Sequence, residues 1–284
     1  MKYSFIENHR STFAAEKMCK ALKVSRSGYY RWRKCGVSRR TSENRRLVFE
    51  IERISSKSRW TYGSPRVTAE LRARGLSCGK NRVARLMREN GITAKTKRRY
   101  RKTTNSQHKL PIAKDLLFRD FSSPAPNRKW SSDITYLRTH EGWLYLAAIM
   151  DIYSRKIVGW SLSSSLHTEI SVSALAKALQ NRKPAPKLIF HSDRGIQFAS
   201  ESFRNLLSEH GIVQSMSHKG DCYDNAIMES FFSTLKAEIK CFGSLDTKKN
   251  AELVVFEYIE AFYNRQRRHS ALNYKTPEEF ELST

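Results

Sequence analysis

The sequence predicts an α/β protein in which a mixed sheet flanked by helices follows small all-α, helix-turn-helix-like modules. Three observations carry that prediction. Before residue 103, apolar residues recur at helical spacing between cap residues and glycine stops. From Lys129 the periodicity changes to that of strands, and beyond Thr168 helical and strand patterns alternate. At 284 residues the chain is long enough for one sizeable core and one or two small modules.

The first module, residues 1–40, places Phe13, Met18, Leu22 and Val24 on a helix, then Ser25 as the cap of a second short helix through Tyr29, Tyr30 and Trp32. Helix, tight turn and capped helix is the helix-turn-helix plan, and Arg26, Arg31 and Arg33 lie along its second helix. Residues 44–102 repeat the plan at larger scale. A helix from Arg45 to Ile54 precedes a turn that ends in Ser64 as cap and Pro65 at the first helical position. A helix from Arg66 to Arg74 then stops at Gly75, and one from Lys80 to Asn90, carrying Lys80, Arg82 and Arg85, stops at Gly91. The basic run after it, which includes Lys95, Lys97, Arg98 and Arg99, is expected to track phosphates.

Residues 103–127, with a short apolar helix in the middle and Ser-Ser-Pro-Ala-Pro near the end, mark a boundary. A core over 128–240 follows. Trp130 to Leu137, Trp143 to Ile152 and Lys156 to Leu162 read as a three-strand meander with short turns between. A helix from Thr168, taken as its cap, to Gln180 leads to a strand over Leu188 to Phe190, a helix from Ser200 to His210 and a strand from Val213 to Met216. The stretch Asp224 to Lys236, with Asp224 as cap and apolar Ile227, Met228, Phe231, Phe232 and Leu235, reads as a helix. Residues 241–284 hold a long helix over 246–268 and a tail that restarts at Thr276-Pro277.

Charge separates the two halves. Residues 1–120 contain 32 Lys and Arg against 9 Asp and Glu, whereas residues 121–284 contain 20 against 18. The first part is a polyanion-binding arm, and nucleic acid is its expected partner, since no long apolar run, secretory signal or lipid-attachment motif points to a membrane. Five cysteines without CxxC spacing suggest neither a disulfide framework nor a zinc module, so a reducing, cytoplasmic setting is expected.

Three acids in the balanced part invite a chemical role. Asp133 lies within the first strand, Asp193 at the exit of the strand over 188–190, and Glu229 on the following helix. Carboxylates brought together from two strands and a helix suit hard divalent cations such as Mg²⁺. Two such ions can serve an in-line phosphodiester displacement. Lys236, seven residues beyond Glu229, lies two helical turns along the same face and can reach a phosphate held there. Asp151 is read as a strand-end acid before a turn, and His191 and His218 as packing histidines.

The segments WSSDITY, HSDRGIQF and DNAIMESFFSTLKAE, the tail YNRQRRHSALNYKTPEEF, and the upstream YGSPRVTAELRARG and SRSGYYRWR resemble the second-frame transposases of insertion sequences, within the Asp-Asp-Glu integrase superfamily. The 35 residues between Asp193 and Glu229 and the Lys seven positions beyond that Glu both match. The resemblance implies a ribonuclease-H-like core, Mg²⁺ or Mn²⁺ as cofactor, and cleavage and joining at element ends. It assigns Asp133, Asp193 and Glu229 to the triad and Lys236 to the basic position. Ser132 stands where Thr is expected and Ile196 where Ser is frequent, and neither change removes a ligand. Element-end and target DNA are the expected partners, acting with a homo-oligomer and with a first-frame protein, separate or fused by frameshifting, since no sustained heptad is visible here. The expected location is the cytoplasm, on the nucleoid. The rival expectations are a ribonuclease-H-type nuclease and a catalytically silent DNA-binding regulator.

Overall fold

The computed structural model describes residues 2–35, 38–95, 110–218 and 225–283. The chain divides into two compact units, the first formed by residues 1–57 and 63–93 and the second by 58–62 and 94–284. The first is entirely helical where described, with α1 (Lys2–Asn8), α2 (Ala15–Ala21), α3 (Arg26–Cys35), α4 (Arg39–Lys57), α5 (Ser64–Ala73) and α6 (Lys80–Glu89). Ile6, Met18, Cys19 and Tyr29 bury a small core between the first three helices, and the Tyr29 hydroxyl donates to Glu7 at 2.5 Å. Ser25 caps α3 as predicted, its hydroxyl accepting from the Gly28 amide at 3.2 Å. Leu47, Ile51 and Ile54 of α4 are buried, as are Val67 and Leu71 of α5 and Val83, Leu86 and Met87 of α6. Gly75 and Gly91 follow α5 and α6 at φ +78 and +68, where a side chain would be strained.

The second unit is built on one five-stranded mixed sheet in the order β3-β2-β1-β4-β5. Strands β1 (Lys129–Thr139), β2 (Gly142–Asp151) and β3 (Ile157–Ser163) form the antiparallel meander, while β4 (Ile189–Ser192) and β5 (Val213–Met216) add in parallel beyond β1. Parallel addition needs crossovers, which α7 (Glu169–Arg182), the short α8 (Ile196–Ala199) and α9 (Glu201–Glu209) supply. This is the predicted helix-flanked mixed sheet. Trp130, Ile149, Leu175, Phe190, Phe198 and Phe203 fill the core on one face. Helix α7 lies so close to β3 that a Cβ on Gly159 would come within 2.4 Å of the Ala174 carbonyl oxygen. Helix α10 (Ala226–Glu238) contributes buried Met228, Phe231 and Leu235, and α11 (Lys248–Phe256) and α12 (Pro277–Leu282) complete the chain.

Several local expectations are corrected. No helix forms within the described part of the linker, residues 110–127. There the Asp115 carboxylate accepts from the Leu117 amide at 2.8 Å and the Ser215 hydroxyl from the Leu116 amide at 2.9 Å, bonds that compete with helical ones. Gly63, not Ser64, occupies the cap position of α5, and Thr168 precedes α7 without any capping bond from its side chain. The residue at the cap position of α10 is Asn225; Asp224 lies outside the described residues. The helix predicted over 246–268 is α11 continued by a π-helical turn, Glu257–Tyr263. The restart at Thr276-Pro277 is a full capping box with Glu279.

Candidate active site

The register between β1 and β4 sets the geometry. These strands run parallel and pair from Lys129↔Ile189 to Ser131↔His191. Asp133 and Asp193 each lie two residues past that last pair, Asp133 in the middle of β1 and Asp193 just beyond the carboxyl end of β4, where the two strands have parted. Open α/β sheets commonly place ligands at such ends. One oxygen of each carboxylate is held by local backbone: the Ile134 amide donates to Asp133 Oδ1 at 2.7 Å and the Gly195 amide to Asp193 Oδ1 at 2.9 Å.

Helix α10 packs against β1, and Asn225 indexes it to that strand. Its buried side chain accepts from the Ser131 hydroxyl at 2.7 Å and donates to the Ser132 carbonyl at 3.0 Å. Glu229 follows one turn later, on the same side of the helix. Lys236 lies two turns further on, its Nζ 4.7 Å from the centroid of the Tyr136 ring. Neither Asn225 nor Tyr136 was singled out as a functional residue in the sequence. Asn225 lies within a recognised motif segment, but its partners lie more than ninety residues away.

Electrostatics tie the four groups together. The Asp133 carboxyl keeps some solvent contact, yet burial pushes it well above the usual carboxylate range, and the nearby negative charges of Asp193 and Glu229 push the same way. The Ile134 amide and Lys236 oppose this. Partial burial draws Lys236 below the ordinary lysine value, against the pull of Asp133. Three carboxylates of this kind are hard oxygen donors, which would suit Mg²⁺ or Mn²⁺ and not a soft metal. Among the described residues no three acidic, histidine or cysteine side chains already converge tightly enough to hold an ion.

The other candidates fall elsewhere. Asp151 is fully buried and accepts from the Asn127 and Tyr153 amides, as its strand-end position suggested. His191 is a packed histidine, buried and 2.9 Å from the Ser215 hydroxyl, whereas His218 is exposed and 3.4 Å from Asp115, which corrects its assignment to packing. In the first unit Arg26 pairs with Glu16 at 3.0 Å, Arg33 with Glu7 at 3.4 Å and Arg85 with Glu89 at 2.9 Å. Arg82 braces α6 on α4 through Asn44 at 2.8 Å and Glu43 at 3.4 Å. Arg31 and Lys80 are exposed, and Lys95 stands 5.9 Å from the Trp60 ring. Lys97, Arg98 and Arg99 lie outside the described residues.

Known proteins resemble the chain over most of its length. The integrase core domain family matches residues 123–222 and, in a second part, 210–277, and the HTH-like domain family matches residues 42–100. The chain is 42% identical over 283 residues to the transposase InsF for insertion sequence IS3A of Escherichia coli strain K12, covering 99% of this chain and 98% of that one. It is 44% identical over 263 residues to an insertion element IS600 31 kDa protein of Shigella sonnei, covering 93% and 97%. Among solved structures, the simian T-cell lymphotropic virus intasome aligns over 76% of this chain and 71% of that chain with TM-score 0.49 at 17% identity. The HTLV-2 integrase catalytic core in complex with magnesium aligns over 56% and 98%, with TM-score 0.43 at 17% identity. No described helix is long and apolar enough to cross a membrane. By its near full-length likeness to InsF and its integrase core, the chain belongs to the insertion-sequence transposases with an integrase core.

Proposed function

We propose that this transposase cuts and joins DNA at the ends of its own element, with Asp133, Asp193 and Glu229 as ligands for Mg²⁺ or Mn²⁺ and Lys236 as the contact to the reacting phosphate. The observation that supports this reading is the charge environment of Asp133, on which Asp193, Glu229 and Lys236 all act where β1 and β4 part. Ions bound there would activate the attacking oxygen and stabilise the leaving one. The protein's part is to hold these ligands in place: the Ile134 and Gly195 amides orient the two aspartates, and Asn225 sets the height of Glu229. In cleavage, a water oxygen bonds to phosphorus and the bond to the 3′ oxygen breaks, leaving a 3′-hydroxyl. In joining, that hydroxyl attacks a target phosphorus and a second 3′ oxygen leaves.

Arg26, Arg31, Arg33, Lys80, Arg82, Arg85, Lys95, Lys97, Arg98 and Arg99 are proposed to hold element-end DNA, Arg82 with part of its reach committed to α4. The acting form is proposed to be a homo-oligomer, joined by a first-frame partner, on nucleoid DNA in the cytoplasm. The test incubates labelled element-end duplex and Mg²⁺ with wild type and with Asp193→Ala. Loss of cleavage and joining with DNA binding retained is expected; equal cleavage by both proteins contradicts the triad assignment.

A further inference from the structure

Beyond Ser131, β1 pairs only with β2 among the described residues, so its other edge is open beside the acids. Lys236 spans that edge. It acts on Asp133 on one face of the strand and lies over the Tyr136 ring, which the pleat puts on the opposite face. From Tyr136 the same face continues into Trp143, the two rings edge to face with centroids 5.1 Å apart, and then to Arg138, whose guanidinium is 5.8 Å from the Trp143 centroid. Arg138 and Trp143 are cross-strand partners near the tip of the β1–β2 hairpin. Trp143 remains 46% exposed, an unusual place for the largest apolar side chain in a unit with a well-filled core. The result is a ledge in the order cation, ring, ring, cation that begins at the proposed site and leads away from it around an open strand edge.

We propose that this ledge binds unpaired nucleotides at the terminus of the DNA whose scissile phosphate sits at Asp133, the bases stacking on Trp143 and Tyr136 and the backbone phosphates meeting Lys236 and Arg138. Two properties select this occupant. Aromatic faces accept any base, and a cation at each end suits a chain that carries a charge at every phosphate. Continuity with the site does the rest, because Lys236 belongs to both. A strand can turn around the edge of β1 in this way only where its bases are not held in a duplex. The platform would thus stabilise an opened end and present its phosphate to the acids.

The inference rests on the placement of the scissile phosphate at Asp133, so its test avoids cleavage. Full-length wild type, Trp143→Ala and Trp143→Phe are compared, without divalent ions, for affinity to a blunt element-end duplex and to the same duplex with its last three base pairs mismatched. Wild type is expected to prefer the mismatched end by at least tenfold, about 1.4 kcal/mol. Trp143→Ala is expected to lose that preference while keeping its affinity for the blunt end, and Trp143→Phe to retain most of it. An unchanged preference in Trp143→Ala overturns the proposal. So does an equal loss on both ends by Trp143→Ala with an unaltered melting temperature, the result expected if the tryptophan packs against another protein chain. Because no metal is present, these outcomes are independent of whether the triad cleaves.

Discussion

At Asp133, burial and the charges of Asp193 and Glu229 all disfavour the ionised carboxylate, and only the Ile134 amide and Lys236 favour it. The native state therefore holds a proton on Asp133 at pH values where the unfolded chain has released it. Between the unfolded value, about 4, and the raised folded one, stability falls as pH rises. Replacing the acid by a neutral isostere removes that penalty. Asp133→Asn is expected to melt at a higher temperature than wild type in metal-free buffer at neutral pH, with the gap closing as the pH approaches 4, and to show no strand cleavage. Differential scanning calorimetry across pH measures this; a lower melting point for the variant at neutral pH contradicts the crowding of charge at Asp133. The acids themselves were legible in the sequence because a carboxylate inside an apolar strand is costly, and because their spacing matched that of a known family. Asn225 and Tyr136 were not. Their roles depend on partners brought near by the fold, Ser131 for one and Lys236 for the other, and nothing in their local sequence announces those partners.

Helix α10 is the element that turns a sheet edge into a site, and buried polar groups fix it at both ends. Asn225 ties its start to β1. Near its end, Glu238 accepts from Arg267 Nε and Nη2, both at 2.8 Å, and from the Tyr258 hydroxyl at 3.0 Å. Both charged partners are almost wholly enclosed, so removing one strands the other in the interior. Arg267→Ala is expected to cost about 3–5 kcal/mol in denaturant unfolding. Asn225→Ala is expected to cost about 1–3 kcal/mol and to slow cleavage more than it weakens DNA binding, because it frees the turn that carries Glu229. A variant of Asn225 that unfolds earlier yet cleaves at the wild-type rate would remove its positioning role. At this scale the sequence located most helices and strands, since the apolar periods of α6, β1 and α10 are strong, but it missed α1, whose Ile6 helps fill the first small core, and the one-turn α8. It misplaced ends and invented a helix within residues 103–127, where Asp115 and Ser215 capture backbone amides that a helix would need. The π-helical turn at Glu257–Tyr263 was hidden for a related reason: Tyr258 and Tyr263 are placed by tertiary packing against Glu238 and Phe231, not by a local signal.

Over the whole molecule, charge and chemistry are divided between different parts of the chain. The excess of 23 positive charges lies in residues 1–120, while the acids that we assign to catalysis lie in the nearly balanced remainder. Affinity for DNA should therefore depend steeply on salt and hardly at all on the triad. For six to ten phosphate contacts, raising salt from 50 to 200 mM weakens binding by about 10³–10⁵, and Asp193→Ala is expected to follow wild type along that line in a fluorescence-anisotropy titration. A shallower slope for the variant would mean that the acids shape DNA binding itself. The asymmetry was plain in the sequence; the return of residues 58–62 to the second unit was not, because Tyr62 is fixed there by bonds to Gln266 and Arg268 some two hundred residues on. The measurement that bears most directly on the metal triad follows Mn²⁺ by electron paramagnetic resonance as it is added to protein bound to an element-end duplex. Wild type should remove the free Mn²⁺ signal, and Asp133→Ala, Asp193→Ala and Glu229→Ala should each leave more ion free at the same concentration; three variants that take up Mn²⁺ as wild type does would contradict the account.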